Sequence, residues 1–195
     1  MLGILGKKLG MTRILQDDGR VIPITLVQCE PNTVTQVKTK EKDGYPAIVL
    51  GFIALKKPMK TRKFQFSREI KIAEGEIYNK GDKVTVEKFK DIKKVEIIGV
   101  SKGKGFQGVV KRYHFAGGPE THGSHAHREP GSIGCRAKPG RVIKGKHLPG
   151  HMGTDQKTLK NIPVQYLDVE NNIIGLKGSL PGGNRSLIFI KAATK

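Results

Sequence analysis

The chain has 195 residues, enough for one domain with a sizeable core or for one domain that carries a long extension. Its 36 Lys and Arg residues outnumber its 17 Asp and Glu residues, so the formal net charge is +19 and a polyanionic partner is expected, nucleic acid first. An anionic membrane surface would require an apolar span or a basic amphipathic helix, and the sequence contains neither. Two cysteines without a CxxC spacing exclude a disulfide scaffold or a cysteine-rich zinc module and indicate a cytosolic chain.

The first hundred residues have the apolar alternation of β-strands. Residues 1–8 are interpreted as the first strand, because a targeting segment would need a longer apolar run. Residues 11–15 and 21–29 predict a hairpin across the turn at 17–19, and residues 42–44 predict a second turn. Further predicted elements are strands at 33–38, 47–52, 64–72, 84–86 and 95–100, with loops at 56–63 and 74–83.

Residues 101–153 lack this alternation. They contain ten Lys or Arg residues, two acids, twelve of the 25 glycines and all six histidines. The segment has too few large apolar residues to form a packed core of its own. It is therefore expected either to be ordered by a partner or to remain disordered. Its charge predicts a polyanion as that partner, because Arg and Lys bind phosphate and glycine lets the backbone approach closely.

The β pattern resumes after this segment. Strands are predicted at 159–169, 173–176 and 187–190, with turns at 171–172 and 181–183. Strands on both sides of the central segment predict one mainly β (α+β) domain, a barrel or a sandwich, built from residues 1–100 and 154–195. Residues 101–153 then form a long, non-globular internal arm, and the change in composition marks its boundaries.

Two motifs have a catalytic or metal-binding interpretation beside a simpler one. Residues 99–105 resemble a P-loop, but the glycine spacing is one residue short and Gly105 stands where a metal-binding Ser or Thr belongs. His122, His125 and His127 suggest a zinc hydrolase, but only two acids lie nearby as a further ligand or base. No Ser or Cys lies in a nucleophile-elbow context. For both motifs, contact with the phosphates and bases of a nucleic acid is favoured over catalysis or metal binding. No metal and no cofactor are expected.

Several short motifs occur in order along nearly the whole chain. They are GKKLGMTRI at 6–14, TQVK at 35–38, KDGY at 42–45, SKGKGFQG at 101–108, KR at 111–112, PGSIG at 130–134, PGR at 139–141, KGK at 144–146 and GHMG at 150–153. None is decisive alone, but together they resemble the bacterial large-subunit ribosomal protein three family.

The resemblance implies a translation-protein-like closed β-barrel domain with a small mixed insertion at about residues 53–93. It implies a structural, non-enzymatic constituent of the large ribosomal subunit, in the cytoplasm or in an organelle. The implied partners are large-subunit (23S-type) rRNA and neighbouring ribosomal proteins, with no membrane and no small-molecule substrate. It also implies early assembly near the 3′-end domain of the rRNA, and an arm that reaches toward the peptidyl transferase centre. The alternative function is a free-standing RNA-binding or RNA-processing factor.

The charge pattern and the resemblance together nominate the rRNA-binding residues. They are Lys7, Lys8, Arg13, Lys102, Lys104, Phe106, Lys111, Arg112, His122, His125, His127, Arg128, Arg136, Lys138, Arg141, Lys144, Lys146 and His151. The chain is expected to reverse at 149–153, which places an arm tip made of Gly150, His151, Met152 and Gly153 near the peptidyl transferase centre.

The sequence departs from the family pattern in three places. Residues 56–75 lack a helical Gly-His-Phe stretch that is common in relatives, so their helix content is left open. Residues 113–115 have no Trp where many relatives do. His151 stands where many bacterial members have a methylated Gln, so that modification is not expected here.

Overall fold

The structure, a computed structural model, describes residues 2–60, 62–72 and 77–193. The chain forms two compact units: the barrel unit, residues 1–101 and 156–195, and the extension, residues 102–155. Three predictions fall partly outside the described residues: residue 1 of the first strand, residue 61 of the 56–63 loop, and residues 74–76 of the 74–83 loop.

Within the described residues, twelve strands make up most of the regular structure. They are β1 (Gly3–Leu15), β2 (Val21–Gln28), β3 (Asn32–Lys38), β4 (Ala47–Ala54), β5 (Phe64–Lys71), β6 (Lys83–Val84), β7 (Lys94–Val100), β8 (Gly105–Gln107), β9 (Gly150–Met152), β10 (Gln156–Asp168), β11 (Ile173–Lys177) and β12 (Leu187–Ala192). The helices are α1 (Lys40–Asp43), α2 (Val109–Tyr113) and a 3₁₀ turn at Val86–Phe89. The prediction of a mainly β fold is confirmed.

Six antiparallel strands form a closed barrel in the order β1, β12, β7, β10, β11 and β2, with β2 pairing back onto β1. Ring closure leaves these strands no open edge. Alternate residues along each strand point inward, so Ile4 of β1 and Ile188 and Ile190 of β12 are buried in the barrel core. Phe89 of the 3₁₀ turn packs in the same core.

A second antiparallel sheet in the barrel unit has the order β5, β4, β3 and β6. Leu50 and Phe52 of this sheet pack with Leu5 of β1 and Phe189 of β12, the residues that point out of the barrel wall. The second sheet begins at Asn32, earlier in the chain than the predicted start of the insertion at about residue 53. The alternation of β3 and β4 is the same in either sheet, so sequence periodicity cannot assign them.

Asn32 connects the two sheets. Its Nδ2 donates to the carbonyl oxygens of Leu5 at 3.0 Å and Glu30 at 2.8 Å, and its Oδ1 accepts from the Leu5 N–H at 3.0 Å. The side-chain amide therefore pairs with β1 as a strand peptide would, at the point where the chain leaves β2 for β3. This satisfies backbone groups that are buried from water.

The predicted turns and short elements of the barrel unit agree with the structure in part. The predicted hairpin is confirmed, because β1 and β2 pair antiparallel as far as Leu15 and Val21. The second predicted turn is instead the single-turn helix α1, which ends at Gly44 with φ of 81°, a conformation that favours glycine. Residues 84–86 are only partly strand, since β6 ends at Val84. The described part of residues 56–75 contains no helix.

The extension contains only β8, α2 and β9 as regular elements. Val109 is buried, whereas Ile133 and Ile143 are exposed. Residues 114–149 contain no helix or strand, and nearly all of their side chains are exposed or half-buried. The composition accounts for this, because glycine and cations replace the recurring apolar residues from which a core is built.

Candidate nucleic-acid interface

The two ends of the extension are joined by a short antiparallel ladder. β8 and β9 pair Gly105 with Met152, Phe106 with His151 and Gln107 with Gly150. The predicted chain reversal at 149–153 is therefore wrong: these residues contain strand β9, which lies near the end of the extension and pairs with β8 near its beginning. The polypeptide between α2 and β9 forms the intervening loop. Local glycine content favoured a reversal, but strand pairing across 45 residues decided the geometry, and such pairing is not visible in local sequence.

Gly153 is required for this ladder to close. Its φ is 81°, and a Cβ at this position would overlap the carbonyl oxygen of Lys102. The neighbouring N–H of Lys104 donates to the carbonyl of Met152 at 2.9 Å. A side chain at Gly153 would therefore push the two chain segments apart and break this contact.

Helix α2 holds the returning chain just before β9. Nη1 of Arg112 donates to the carbonyl oxygen of Leu148 at 2.7 Å. The ring of Tyr113 stacks on the ring of His147 with centroids 4.1 Å apart and an interplanar angle of 4°. Phe115 contacts the same imidazole at a tilt, with centroids 6.3 Å apart. These contacts close a large loop that carries most of the cations of the extension.

A smaller loop is closed within the large one. The N–H of Gly118 donates to the carbonyl of His127 at 3.1 Å, and Nδ1 of His127 lies 3.0 Å from the carbonyl oxygen of Pro119. A Cβ at Gly118 would overlap the carbonyl oxygen of Ala126, so glycine lets the two chain segments approach each other. His127 thus has a structural contact besides its predicted RNA contact.

The cations of the extension point to solvent. Nine of its ten Lys and Arg side chains are exposed, and Arg112 is half-buried through its contact with Leu148. In the described residues 102–155 none of these ten side chains forms an ion pair; the ion pairs seen are Arg20–Asp18 and Lys38–Glu69, both in the barrel unit. Unpaired, exposed cations on a sparse backbone can contact the phosphates of a polyanion at little desolvation cost.

The three clustered histidines do not come together as a metal site. His122 and His125 are exposed, and His122 has a positive φ of 59° in its turn. Among the described residues, no group of three or more His, Cys, Asp or Glu side chains has a metal-binding arrangement.

Phe106 and His151 form a cross-strand pair on the β8–β9 ladder. Phe106 is 76% exposed and His151 is exposed, so an aromatic ring and an imidazole stand side by side on the surface. Rings in this position offer stacking surfaces to unpaired bases.

The predicted contacts in the barrel unit have separate environments. Arg13 is exposed on β1. Lys7 lines a recess of about 220 Å³ together with Arg185, Gln65 and Phe66. Sequence reasoning missed Arg185, which lies far along the chain and reaches this recess through the loop before β12.

Lys8 does not fit its predicted role as a phosphate contact. Its side chain is only 6% exposed, and its Nζ donates to the carbonyls of Leu180 at 2.8 Å and Gly182 at 3.2 Å. The backbone N–H of Arg185 donates to the Lys8 carbonyl at 2.7 Å. Lys8 therefore stabilises the loop that presents Arg185. A basic sequence motif does not reveal which of its lysines points inward.

Sequence reasoning also missed the contact between Tyr113 and His147. They stand 34 positions apart, and only their stacked rings show that they act together. The KR motif at 111–112 was the nearest sequence signal, but it indicated phosphate binding rather than loop closure.

These features define the class of the molecule: a mainly β protein with a closed barrel that carries a long, exposed and strongly basic extension. In the described part of the chain, no helix has the length and apolar character needed to cross a membrane.

Comparison with known proteins identifies the family. The family model described as Ribosomal protein L3 matches residues 59–165. The chain is 47% identical over 202 residues to the large ribosomal subunit protein uL3 of Dehalococcoides mccartyi, covering 99% of this chain and 98% of that protein. It is 45% identical over 206 residues to the uL3 protein of Oceanobacillus iheyensis, with coverage of 99% and 98%. It is 44% identical over 205 residues to that of Herpetosiphon aurantiacus, with coverage of 99% and 97%. The chain belongs to the ribosomal protein L3 family, as the motifs indicated.

Proposed function

We propose that this protein is a structural constituent of the large ribosomal subunit and binds large-subunit rRNA directly, chiefly through the extension. The observation that carries the proposal is the set of nine exposed, unpaired cations on a segment with almost no core of its own. Such a surface loses little on contact with phosphates and gains from the release of counterions. The relatives carry the name of a large ribosomal subunit protein, which supports the ribosome as the site of binding.

The finer parts of the proposal concern the role within the subunit. The barrel serves as a translation-protein-like platform that binds early near the 3′-end domain of the rRNA. The loop between α2 and β9, together with His151 and its neighbours, extends toward the peptidyl transferase centre and shapes its surroundings without chemistry of its own. Neighbouring ribosomal proteins are the remaining partners, and the assembled subunit is cytoplasmic.

Sedimentation of cell extract tests the proposal against the alternative of a free-standing RNA-binding or RNA-processing factor. A subunit constituent co-sediments with the large subunit in one-to-one amount and stays there through washing at moderate salt. A free-standing factor is found mainly at the top of the gradient, in amounts unrelated to subunit number, and that distribution would overturn the proposal. Filter binding of the purified protein to large-subunit rRNA, with small-subunit rRNA as the competitor, tests the direct contact separately.

A further inference from the structure

The open face of the second sheet carries a recess that the predicted site does not include. Ile48 and Leu50 of β4 point toward the core, so the intervening Val49 points away from it. Val49, Thr35 of β3 and Ser67 of β5 form part of a recess of about 420 Å³. The recess lies wholly within the barrel unit.

An aromatic ring lies in this recess. A Cβ at Gly51 would lie 2.5 Å from Cδ2 and 2.6 Å from Cγ of Phe64, so the ring rests on the glycine backbone, where no other residue leaves room. Among the described residues, Phe64 belongs to neither hydrophobic core, whereas Phe66, two residues further, packs with the core of the second sheet. A half-buried ring held against backbone on a polar sheet face is positioned for contact with a partner.

Four cations lie in the lining of the recess that holds the ring. Lys60, Arg62 and Lys63 of the β4–β5 loop and Lys80 line the same recess, and among the residues that the structure describes no acidic residue lines it. The Glu69 carboxylate of β5 lies 2.5 Å from Nζ of Lys38, and this hydrogen bond lowers the pKa of Glu69. The nearest strand carboxylate is therefore already paired with a lysine.

Backbone and side-chain hydrogen bonds hold the described residues of the loop that carries three of these cations. The N–H of Leu55 donates to the carbonyl of Lys63 at 2.9 Å, and that of Met59 donates to the carbonyl of Arg62 at 3.0 Å. Nη2 of Arg62 donates to the carbonyl of Gln65 at 2.8 Å, which holds the guanidinium beside the first residues of β5. The basic loop is thus tied to the strands and keeps its cations near Phe64.

We infer that this recess binds an unpaired RNA nucleotide, with its base stacked on Phe64 and its flanking phosphates contacted by Lys60, Lys63 and Lys80. An aromatic ring on an open sheet face, surrounded by cations, is the arrangement by which sheets bind single-stranded RNA. An acidic protein segment would use the cations but gain little from the ring. The inference rests on the proposed function only in taking RNA as the polyanion; it assigns a second contact, in the barrel unit and separate from the extension.

Photo-crosslinking of the full-length protein tests the inference. The probe is a single-stranded RNA of roughly 12 nucleotides, within the span that such surfaces bind, containing 4-thiouridine. Crosslinked peptides are mapped by mass spectrometry, so adducts in residues 60–80 are counted separately from adducts in the extension. Phe64→Leu keeps an apolar side chain but removes the stacking surface. It should reduce crosslinking in residues 60–80 about fivefold or more, with extension adducts unchanged, since stacking of one base contributes at least about 1 kcal/mol.

The charge contribution is tested with a matched pair of triple variants. Lys60→Gln, Lys63→Gln and Lys80→Gln should reduce the same adducts, whereas Lys42→Gln, Lys90→Gln and Lys93→Gln, an equal charge change on exposed side chains elsewhere in the barrel unit, should not. These residues are exposed, so the variants remain folded, as circular dichroism will verify.

Three outcomes would overturn the inference: no adducts in residues 60–80, an unchanged yield in Phe64→Leu, or equal losses in the two triple variants. Loss of adducts in the lysine variant but not in Phe64→Leu would indicate phosphate contact without base stacking, which also overturns the inference. If the extension crosslinks while residues 60–80 do not, the proposed function stands and this inference fails. If neither region crosslinks and large-subunit rRNA is not retained on filters, both fail.

Discussion

The proposed binding to rRNA should depend strongly on salt, because of where the structure places the cations of the extension. Lys102 and Lys104 stand at one end of the extension, and Lys144 and Lys146 lie in the loop that returns to β9. All four side chains are exposed and none forms an ion pair in the described residues of the extension. Replacing all four with Gln should therefore remove the predicted phosphate contacts without removing a structural contact of these side chains.

The size of the effect follows from counting the available cations. Arg112 donates to Leu148, so nine Lys and Arg side chains of the extension face solvent. Each phosphate contact contributes roughly 0.7 to 0.9 to the slope of log affinity against log salt. Nine contacts predict a loss of about four to five orders of magnitude between about 50 and 200 mM salt, against two to three orders for the quadruple variant. The slope itself should fall by about 3.

The assay is filter binding to large-subunit rRNA over a salt series. The control replaces Lys40, Lys42, Lys90 and Lys93 of the barrel unit with Gln, an equal change in net charge on exposed side chains outside the predicted interface. The control should retain the wild-type slope. Parallel lines for the wild type and the quadruple variant, or equal slopes for the two variants, would refute the account of the extension as the main phosphate-binding surface.

Four further predictions follow from single features. Limited proteolysis of the protein without RNA should cut first within residues 117–149, because this part of the extension has no helix or strand, and early cleavage in the barrel instead would contradict it. His151→Asp should weaken rRNA binding about fivefold by adding a negative charge beside phosphates, while His151→Gln should bind like the wild type in the same filter assay. Asn32→Ala should lower the free energy of unfolding, measured in urea, by about 2 to 5 kcal/mol, because backbone groups of β1 lose their hydrogen-bond partners. An unchanged midpoint of urea unfolding would show that water replaces the side-chain amide. Iodoacetamide should label Cys135 in the native protein but Cys29 only after unfolding, because burial covers Cys29 and raises the pKa of its thiol; native labelling of both would show that this part of the barrel opens.

Much of the barrel unit could be predicted because its signal is local. A strand that is buried on one side needs an apolar residue at every second position, and this alternation identified β2, β7 and β12 to within a few residues. The single strand β1 was predicted as two pieces, residues 1–8 and 11–15. The basic character of residues 101–153 was equally visible, because a segment without recurring apolar residues has no core to bury. The order of short motifs then sufficed to indicate the family.

The assignment of strands to sheets was decided by tertiary structure. β3 and β4 alternate as the barrel strands do, yet they pair with β5 and β6, and Asn32 marks the point where the chain changes sheets. Strand pairing depends on which backbone edges meet across long sequence separations. The periodicity of a strand indicates that a residue faces a hydrophobic core, but it does not indicate which of the two cores the residue faces.

Tertiary structure also decided which side chains of the candidate sites are exposed and which residues contact each other. Lys7 and Lys8 are neighbours in one basic motif, but strand alternation and the loop before β12 leave Lys7 on a recess and bury the ammonium of Lys8 on carbonyls. The GHMG motif was visible, but its pairing with β8 was not. By itself, the sequence determined the fold class and the family, and it predicted a polyanionic partner, since these depend on composition and short-range pattern. Contacts between residues that are distant in the chain decide which cations are exposed to solvent and which aromatic ring lies near them. Only the folded structure brings those residues together.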